Sequence, residues 1–381
     1  MGQPRRYLDN AATTWPKPQE VLAAWRRVAE EVGATAGRGL YREAAEATAI
    51  QARARAAAAR LFGGVDPGRV ALPSGCTLGL NLVIQGLVRP GDHVIATAAD
   101  HNATLRPLHA LATRSVIDLS IAPCDATGQV DPVAIAAAWR PATRFVVCSH
   151  VSNVTGAVQD VAAITTIAHE RGGLVVLDAA QSLGIVPATR PGWGADVAVA
   201  PAHKWIQGTA GVAFLWAREG VEPASVVQGG TGSVSESLAM PEAFTERLEP
   251  GTPDVPALAA AAAAAAWLEE RGVAAVATVG RHLADRTAAE LSGLSGVRVA
   301  RAETAAAIVS FTVEDYDPAD VAAILEQAAG VQVRSGFHCA AVIHDSLNTR
   351  AGGTVRASFG PFNTAVDVEA LVSAVAKLTR G

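Results

Sequence analysis

The sequence predicts an α/β protein built on a mostly parallel, doubly wound sheet. Short valine-rich runs bounded by Gly or Pro, such as 174–177 and 197–200, are typical of strands buried on both faces. Helical patterns separate these runs, as they do in α/β folds. The chain has 381 residues, whereas a domain typically has roughly 150, so its length favours two domains.

Composition excludes several classes of function. A formal net charge of -5 and the lack of a long Lys/Arg run argue against nucleic acid or a membrane surface as the main partner. The N-terminus has no apolar signal region, and the most apolar tract, 257–268, is about half a membrane span. We therefore expect a cytoplasmic protein. Without CxxC spacing we expect no metal site, and free thiols at Cys76, Cys124, Cys148 and Cys339.

In the first third of the chain, the sequence pattern predicts helices at 18–31 and 41–61 and a brief strand at 70–72. This strand runs into Ser74-Gly-Cys-Thr77, which opens another helix. Free backbone N–H groups and the positive end of the helix dipole make such a helix start an anion site. The alternative is an ordinary N-cap. It is not a Walker loop, because no GK[ST] sequence follows.

Polar residues follow five predicted strands at the point where each strand ends. After 70–72 come further strands at 93–96, 144–147, 174–177 and 197–200. The polar residues are Thr77, His101, Asn153, Asp178, Gln181, His203 and Lys204. In open α/β sheets ligands bind beyond the carboxyl ends of the strands, so the pattern indicates one shared crevice.

An acid and an amine at this crevice suit one cofactor in particular. Pyridoxal phosphate needs a lysine, here Lys204, for its Schiff base, and an acid, here Asp178, to keep its pyridine nitrogen protonated. The alternative is a buried structural ion pair between these two residues.

The second half of the chain begins with a strand at 211–216 and continues with polar Gly/Pro loops at 228–237 and 247–254. Their length indicates part of a site or an interface. An Ala-rich helix from 255 leads into an α+β pattern, with helices at 276–291, 318–329 and 366–380 and strands at 307–312 and 331–333. We expect a large domain at 16–257 and a small domain formed by 1–15 and 258–381.

Six motifs carry a resemblance that covers nearly the whole chain. They are YLDNAA at 7–12, HVSNVTG at 150–156, DAAQS at 178–182, HKW at 203–205, EPGTPD at 249–254 and RSGFHCA at 334–340. With these motifs the sequence resembles the class V, fold-type I pyridoxal-phosphate enzymes, and within them the cysteine desulfurases and selenocysteine lyase-like proteins. The resemblance implies a seven-stranded, mostly parallel sheet, a smaller α+β domain and a homodimer.

The resemblance also implies roles for individual residues around the cofactor. Lys204 would form the Schiff base, Asp178 would hold the pyridine N–H and Gln181 the phenolic oxygen. His101 would stack on the ring as a candidate proton shuttle. The implied phosphate ligands are Thr77, His203, the backbone of Cys76 and, reaching the neighbouring subunit, Thr252.

For the substrate, the resemblance implies that Asn153 and Arg356 receive the carboxylate of an amino acid, with Arg334 nearby. A planar guanidinium binds a carboxylate bidentately, which supports Arg356 on chemical grounds. Cys339 would take sulfur from L-cysteine as a persulfide, leaving L-alanine. Its thiolate would be favoured by nearby cations, and the alternative for such a cysteine is structural burial.

Three departures from the family pattern bear on the substrate. Pro201-Ala202 precedes the lysine where relatives carry a small or hydroxyl residue, and Phe337 replaces a second histidine. AAVIHD follows Cys339 in place of a proline-containing segment. Cysteine desulfurase with a possible sulfur-acceptor protein is the first interpretation. The alternatives are a class V aminotransferase, β-lyase, epimerase or selenocysteine lyase, and a non-catalytic interaction protein.

Overall fold

A computed structural model describes residues 4–380 of the chain. Its strands are β1 (Arg6–Tyr7), β2 (Val70–Ala71), β3 (His93–Thr97), β4 (Asp118–Ala122), β5 (Thr143–Ser149), β6 (Leu174–Asp178), β7 (Val197–Pro201), β8 (Ala213–Ala217), β9 (Val297–Ala300), β10 (Ile308–Val313), β11 (Val331–Gln332), β12 (Arg334–Gly336) and β13 (Thr354–Ser358).

The helices alternate with these strands in the first half of the chain. They are α1 (Gln19–Arg27), α2 (Arg42–Leu61), α3 (Cys76–Leu87), α4 (Asn102–Thr113), α5 (Pro132–Ala138), α6 (Val161–Glu170), α7 (Phe244–Leu248), α8 (Val255–Arg271), α9 (Val273–Ser292), α10 (Pro318–Ala329), α11 (Ile343–Ser346) and α12 (Ala365–Leu378). A π-helical turn, Val28–Val32, continues α1.

The large sheet has seven strands in the order β2-β8-β7-β6-β5-β3-β4. Strands β3 to β7 run parallel to one another, and β8 alone runs antiparallel to its neighbours β7 and β2. This arrangement confirms the predicted mostly parallel α/β sheet. The edge strand β4 was not predicted. Only Ala122 in it is buried, and the polar Asp118 and Ser120 interrupt the continuous apolar run of a buried strand.

Alternate residues along the central strands pack into two separate cores, one on each face of the sheet. Val175 and Leu177 lie in the core formed with α2, α6 and α8, and Val176 lies in the core formed with α3 and α4. Burying an aliphatic side chain of this size contributes about 1.5–3 kcal/mol. Helices therefore cover both faces, as in a doubly wound fold.

A second, antiparallel sheet follows in the order β12-β13-β10-β9, and α9, α10 and α12 pack near it. The N-terminal strand β1 pairs in parallel with β11, so the start of the chain lies beside this later part. Helix α8, through which the expected boundary at 257 and 258 runs, packs against α1 and α2. The residue ranges of the two domains stay a prediction.

The sheet places its functional side chains at one edge. Strand β6 ends at Asp178, and its parallel neighbour β7 ends at Pro201, three residues before Lys204.

In residues 4–380 no helix combines the length and apolarity needed to cross a bilayer.

Candidate active site

A cavity of about 290 Å³ opens at the carboxyl edge of the parallel strands. It brings together eight of the residues predicted from the sequence, which are Cys76, Thr77, His101, Asn153, Asp178, Gln181, His203 and Lys204. Four other predicted residues do not line it, namely Thr252, Arg334, Cys339 and Arg356. The crevice inferred from the strand ends therefore exists, and the last four residues lie outside its lining.

The acid and the amine of the cavity influence each other electrostatically. Burial raises the pKa of Asp178, and the charge of Lys204 opposes this rise. One Asp178 carboxylate oxygen, Oδ1, accepts a hydrogen bond of 2.9 Å from the Ala180 amide. Burial lowers the pKa of Lys204, whereas Cys76 and Asp178 act to raise it. A lysine whose amine is easily deprotonated is a candidate nucleophile.

The start of α3 forms the polar floor of the cavity. Its N-cap residue, Gly75, provides no side-chain acceptor, and the first amides of a helix have no intrahelical acceptor of their own. Gly79 lets the helix lie close to the sheet, because an added Cβ would come within 2.7 Å of a methyl carbon of Val199. Thr77 and His203 line the same cavity. These groups together form a site for an anion.

His101 is held as a neutral imidazole. It caps α4, where its Nδ1 accepts a hydrogen bond of 2.9 Å from the Ala103 amide, so the ring hydrogen resides on Nε2. Burial, followed by the charges of Lys204 and Arg334, lowers the pKa of His101 to about 4. The pKa of His203 is likewise lowered to about 4, mainly by burial.

Gln181 links the cavity to the N-terminal segment. Its Oε1 accepts a hydrogen bond of 2.6 Å from the Trp205 indole, and its Nε2 donates one of 2.9 Å to the Ala11 carbonyl. An amide nitrogen carries two hydrogens, so one N–H of Gln181 remains for a ligand.

Arg356 is buried on β13, where only 1% of its surface is exposed. Its Nη1 donates 2.8 Å to the Asn153 carbonyl and its Nη2 donates 2.8 Å to Asp9 Oδ1, while Nε has no partner. The charge of Arg356 lowers the pKa of both Lys204 and His101. Asp9 was not predicted as a site residue, although it belongs to the YLDNAA motif.

Cys339 lies on a tightly turned segment next to the cavity. His338 and Cys339 both have left-handed backbones, with φ of 50° and 60°. The Cys339 carbonyl accepts a 2.7 Å hydrogen bond from the Asn102 amide, at the start of α4, and Asn153 Nδ2 donates 2.6 Å to the His338 carbonyl. The exposed Cys339 thiol lies 3.1 Å from Arg334 Nη2. A guanidinium group is therefore in direct contact with the sulfur of Cys339.

The other cysteines have different surroundings. Cys148 is buried in β5, and burial raises its pKa well above the usual value. Burial also raises the pKa of Cys76 and of Cys124. Within residues 4–380 no group of three or more His, Cys, Asp or Glu residues is arranged to hold a metal ion.

Thr252 and two of the three departures from the family pattern, Pro201 and Phe337, lie around the cavities and the cysteine segment. Thr252 lines an adjacent cavity of about 470 Å³, which shares Ser74 with the first, so its reach to a neighbouring subunit stays a prediction. Pro201 is buried and lines the first cavity. Phe337 is 38% exposed and packs edge-on against His344, 5.0 Å between ring centroids.

Comparisons with known proteins agree with this fold. A "Probable cysteine desulfurase" of Methanothermobacter thermautotrophicus is 34% identical over 96% of this chain and 92% of its own length. "Cysteine desulfurase CsdA" of Escherichia coli is 29% identical over 97% of this chain and 92% of its own length. The apo structure of a cysteine desulfurase from Thermococcus onnurineus superposes with a TM-score of 0.90 at 29% identity, covering 98% of this chain and 94% of that one.

The family assignment rests on nearly the full length of the chain. The sequence model of the family described as "Aminotransferase class-V" matches residues 6–371. That range includes every strand of both sheets and every predicted site residue. The chain therefore belongs to the aminotransferase class-V family.

Proposed function

We propose that this protein is a pyridoxal-phosphate-dependent cysteine desulfurase, which converts L-cysteine to L-alanine and transfers the sulfur to Cys339 as a persulfide. The observation that carries the proposal is the exposed Cys339 thiol, 3.1 Å from Arg334 Nη2 on a segment tied to the cavity edge. Full-length relatives named cysteine desulfurase support it.

The residues of the cavity fit the cofactor. The start of α3, with Thr77 and His203, is a site for the phosphate, and Lys204 would hold the cofactor covalently through its amine. Asp178 would pair with the pyridine N–H and the free N–H of Gln181 with the phenolic oxygen. Pyridoxal phosphate supplies an electron sink for charge that develops at the substrate α-carbon.

The chain's own residues would then orient the substrate and move protons. The unpartnered Nε of Arg356 and the Asn153 side chain would bind the substrate carboxylate. Lys204 is the proposed base and acid at the substrate carbon, because its pKa is lowered by burial toward the working range of a catalyst. His101 would pack on the cofactor ring as a neutral imidazole.

The sulfur-transfer step would take place on Cys339. Its thiolate attacks the substrate sulfur, the carbon–sulfur bond breaks and a sulfur–sulfur bond forms. L-cysteine and the enzyme thiol thereby become L-alanine and an enzyme persulfide, with no external oxidant. The exposure of Cys339 would allow a sulfur-acceptor protein to reach it. In a homodimer Thr252 would complete the phosphate site of the neighbouring subunit.

The experiment measures alanine formed from L-cysteine in the presence of a thiol reductant. Wild type, Cys339→Ala and the control Cys124→Ala are compared after each is shown to bind the cofactor by its visible absorbance. We expect alanine from wild type and Cys124→Ala and none from Cys339→Ala. Alanine formation by Cys339→Ala would contradict the role of Cys339 as the sulfur acceptor, and a loaded wild type that forms no alanine would contradict the proposed activity.

A further inference from the structure

One lysine outside the catalytic set lies beside the lysine of the cavity. The chain has only three lysines, Lys17, Lys204 and Lys377, among 31 lysine and arginine residues. The ammonium nitrogen of Lys17 lies 2.7 Å from the carbonyl oxygen of His203, the residue that precedes Lys204 in the chain. Because 28 of the 31 lysine and arginine residues are arginines, a lysine at this position indicates a specific use of the amine.

Several donors converge on the peptide bond between His203 and Lys204. The His203 carbonyl is approached by the Thr14 amide at 3.2 Å, by the Thr13 hydroxyl at 3.1 Å and by Lys17 Nζ. The Thr14 hydroxyl lies 3.0 Å from the Lys204 carbonyl and accepts a 2.7 Å hydrogen bond from Lys17. A carbonyl has two lone pairs, so its acceptor capacity is fully used here.

The chemistry of this contact suits lysine better than arginine. A compact ammonium directs its hydrogens tetrahedrally, so Lys17 can reach the Thr14 hydroxyl and the His203 carbonyl at once, whereas a planar guanidinium donates in one plane. Burial lowers the pKa of Lys17 to about 7, and no acidic neighbour in the described part of the chain offsets this. The half-buried amine is thus held without a carboxylate partner.

We propose that Lys17 is a positioning residue for Lys204. By holding the His203 carbonyl, directly and through Thr14, it fixes the turn that begins at Lys204 and so aims the Lys204 side chain into the cavity. Hydrogen bonds within that turn run from the Gln207 amide to the Lys204 carbonyl and from the Gly208 amide to the Ala202 carbonyl, both 2.8 Å. The role in cofactor capture rests on the proposed function, whereas the restraint on the turn does not.

The first test uses the full-length protein without cofactor, so that it is independent of the reaction. Hydrogen exchange of the Gln207 and Gly208 amides is measured in wild type and Lys17→Met. Lys377→Met, an exposed lysine on α12, is the matched control. Loss of this hydrogen-bond donor should loosen the turn, so we expect about tenfold faster exchange in Lys17→Met and no change in the control.

The second test titrates the cofactor-free proteins with pyridoxal phosphate and follows visible absorbance. We expect the apparent Kd to rise about tenfold in Lys17→Met, with the KM for L-cysteine of the loaded enzyme unchanged within about twofold. Lys17→Gln, which keeps an N–H donor, should fall between Lys17→Met and wild type, and it decides the matter if Lys17→Met does not fold.

The outcomes separate this proposal from the proposed function. Unchanged exchange at Gln207 and Gly208, or equal acceleration there and throughout α12, overturns the positioning role whatever the enzyme does. Faster local exchange together with unchanged cofactor affinity overturns the aiming of Lys204. If wild type itself binds no cofactor while exchange responds locally, the restraint on the turn stands and the proposed function fails.

Discussion

The Lys204 turn and the Cys339 segment differ in how the surrounding protein holds them. The Lys204 turn is packed within the cavity wall, and the N-terminal residues Thr13, Thr14 and Lys17 contact its first peptide group. The Cys339 segment is held through the backbone, by the Asn102 amide, while its thiol is exposed and contacts Arg334.

This difference matches two requirements of the proposed reaction, a fixed cofactor site and an accessible sulfur carrier. Chemistry on a cofactor needs groups fixed in a water-poor space, where electrostatic interactions are stronger. A group that delivers sulfur to another molecule must be reached from outside, so its backbone is fixed and its side chain is left exposed. Changes in the cavity should therefore leave the reactivity of the Cys339 thiol intact, and changes around the thiol should leave the cofactor intact.

The largest effect should come from Lys204→Ala. Loss of the amine removes covalent attachment of the cofactor and proton transfer, so alanine formation should fall by at least about 10³-fold. The rate of Cys339 alkylation by iodoacetamide should stay within about twofold of wild type. A large change in alkylation would break the proposed independence of the two regions.

A smaller effect is expected from Arg356→Lys. The ammonium keeps the charge and loses the planar fork, so the KM for L-cysteine should rise about ten- to a hundredfold, with the visible absorbance of the bound cofactor unchanged. Steady-state kinetics measure this change, and Arg350→Lys on the surface is the control. An unchanged KM would contradict the assignment of Arg356 to the substrate carboxylate.

Arg334→Gln tests the converse expectation, that a change beside the Cys339 thiol leaves the cofactor site intact. The thiolate of Cys339 loses its charge-assisted partner, so alkylation at neutral pH should slow by about three- to tenfold, while cofactor affinity stays within about twofold. Arg350→Gln should change neither quantity. A loss of cofactor affinity in Arg334→Gln would mean that this arginine supports the cofactor site, which contradicts the independence of the two regions.

The smallest effect concerns His101, which should not titrate in the cofactor-free protein between about pH 5 and 8. Its pKa is lowered to about 4, so it gains a proton only as the pH falls through about 4. ¹⁵N spectra of histidine-labelled protein, assigned with His101→Gln, should show the Nε2–H tautomer across this range. A midpoint near the ordinary value of 6.5 would contradict the burial of the ring.

Much of the cavity could be predicted from the sequence, because buried parallel strands and polar strand ends leave strong local patterns. Asp178 and Lys204 follow adjacent valine-rich runs, and the start of α3 follows a Ser-Gly turn. Strand β4 escaped prediction, since Asp118 and Ser120 interrupt its apolar run and Ile121 is exposed.

Contacts between distant parts of the chain could not be predicted. Asp9 pairs with Arg356 across 347 positions, and Lys17 reaches His203 across 186. No periodicity encodes such contacts, because they depend on how β1 and the following turn lie across the completed sheets. Arg334 lies five positions from Cys339 in the sequence, and the structure brings its Nη2 to 3.1 Å from the Cys339 thiol.

The most direct test of the account locates the transferred sulfur. Cofactor-loaded wild type is incubated with L-cysteine, without reductant, and its cysteine-containing peptides are analysed by mass spectrometry after alkylation. We predict one additional sulfur atom on the Cys339 peptide, in step with alanine formation, and none on the peptides of Cys76, Cys124 or Cys148. Alanine formed with no added sulfur on Cys339, or with sulfur on another cysteine, would contradict the assignment of Cys339 as the sulfur acceptor.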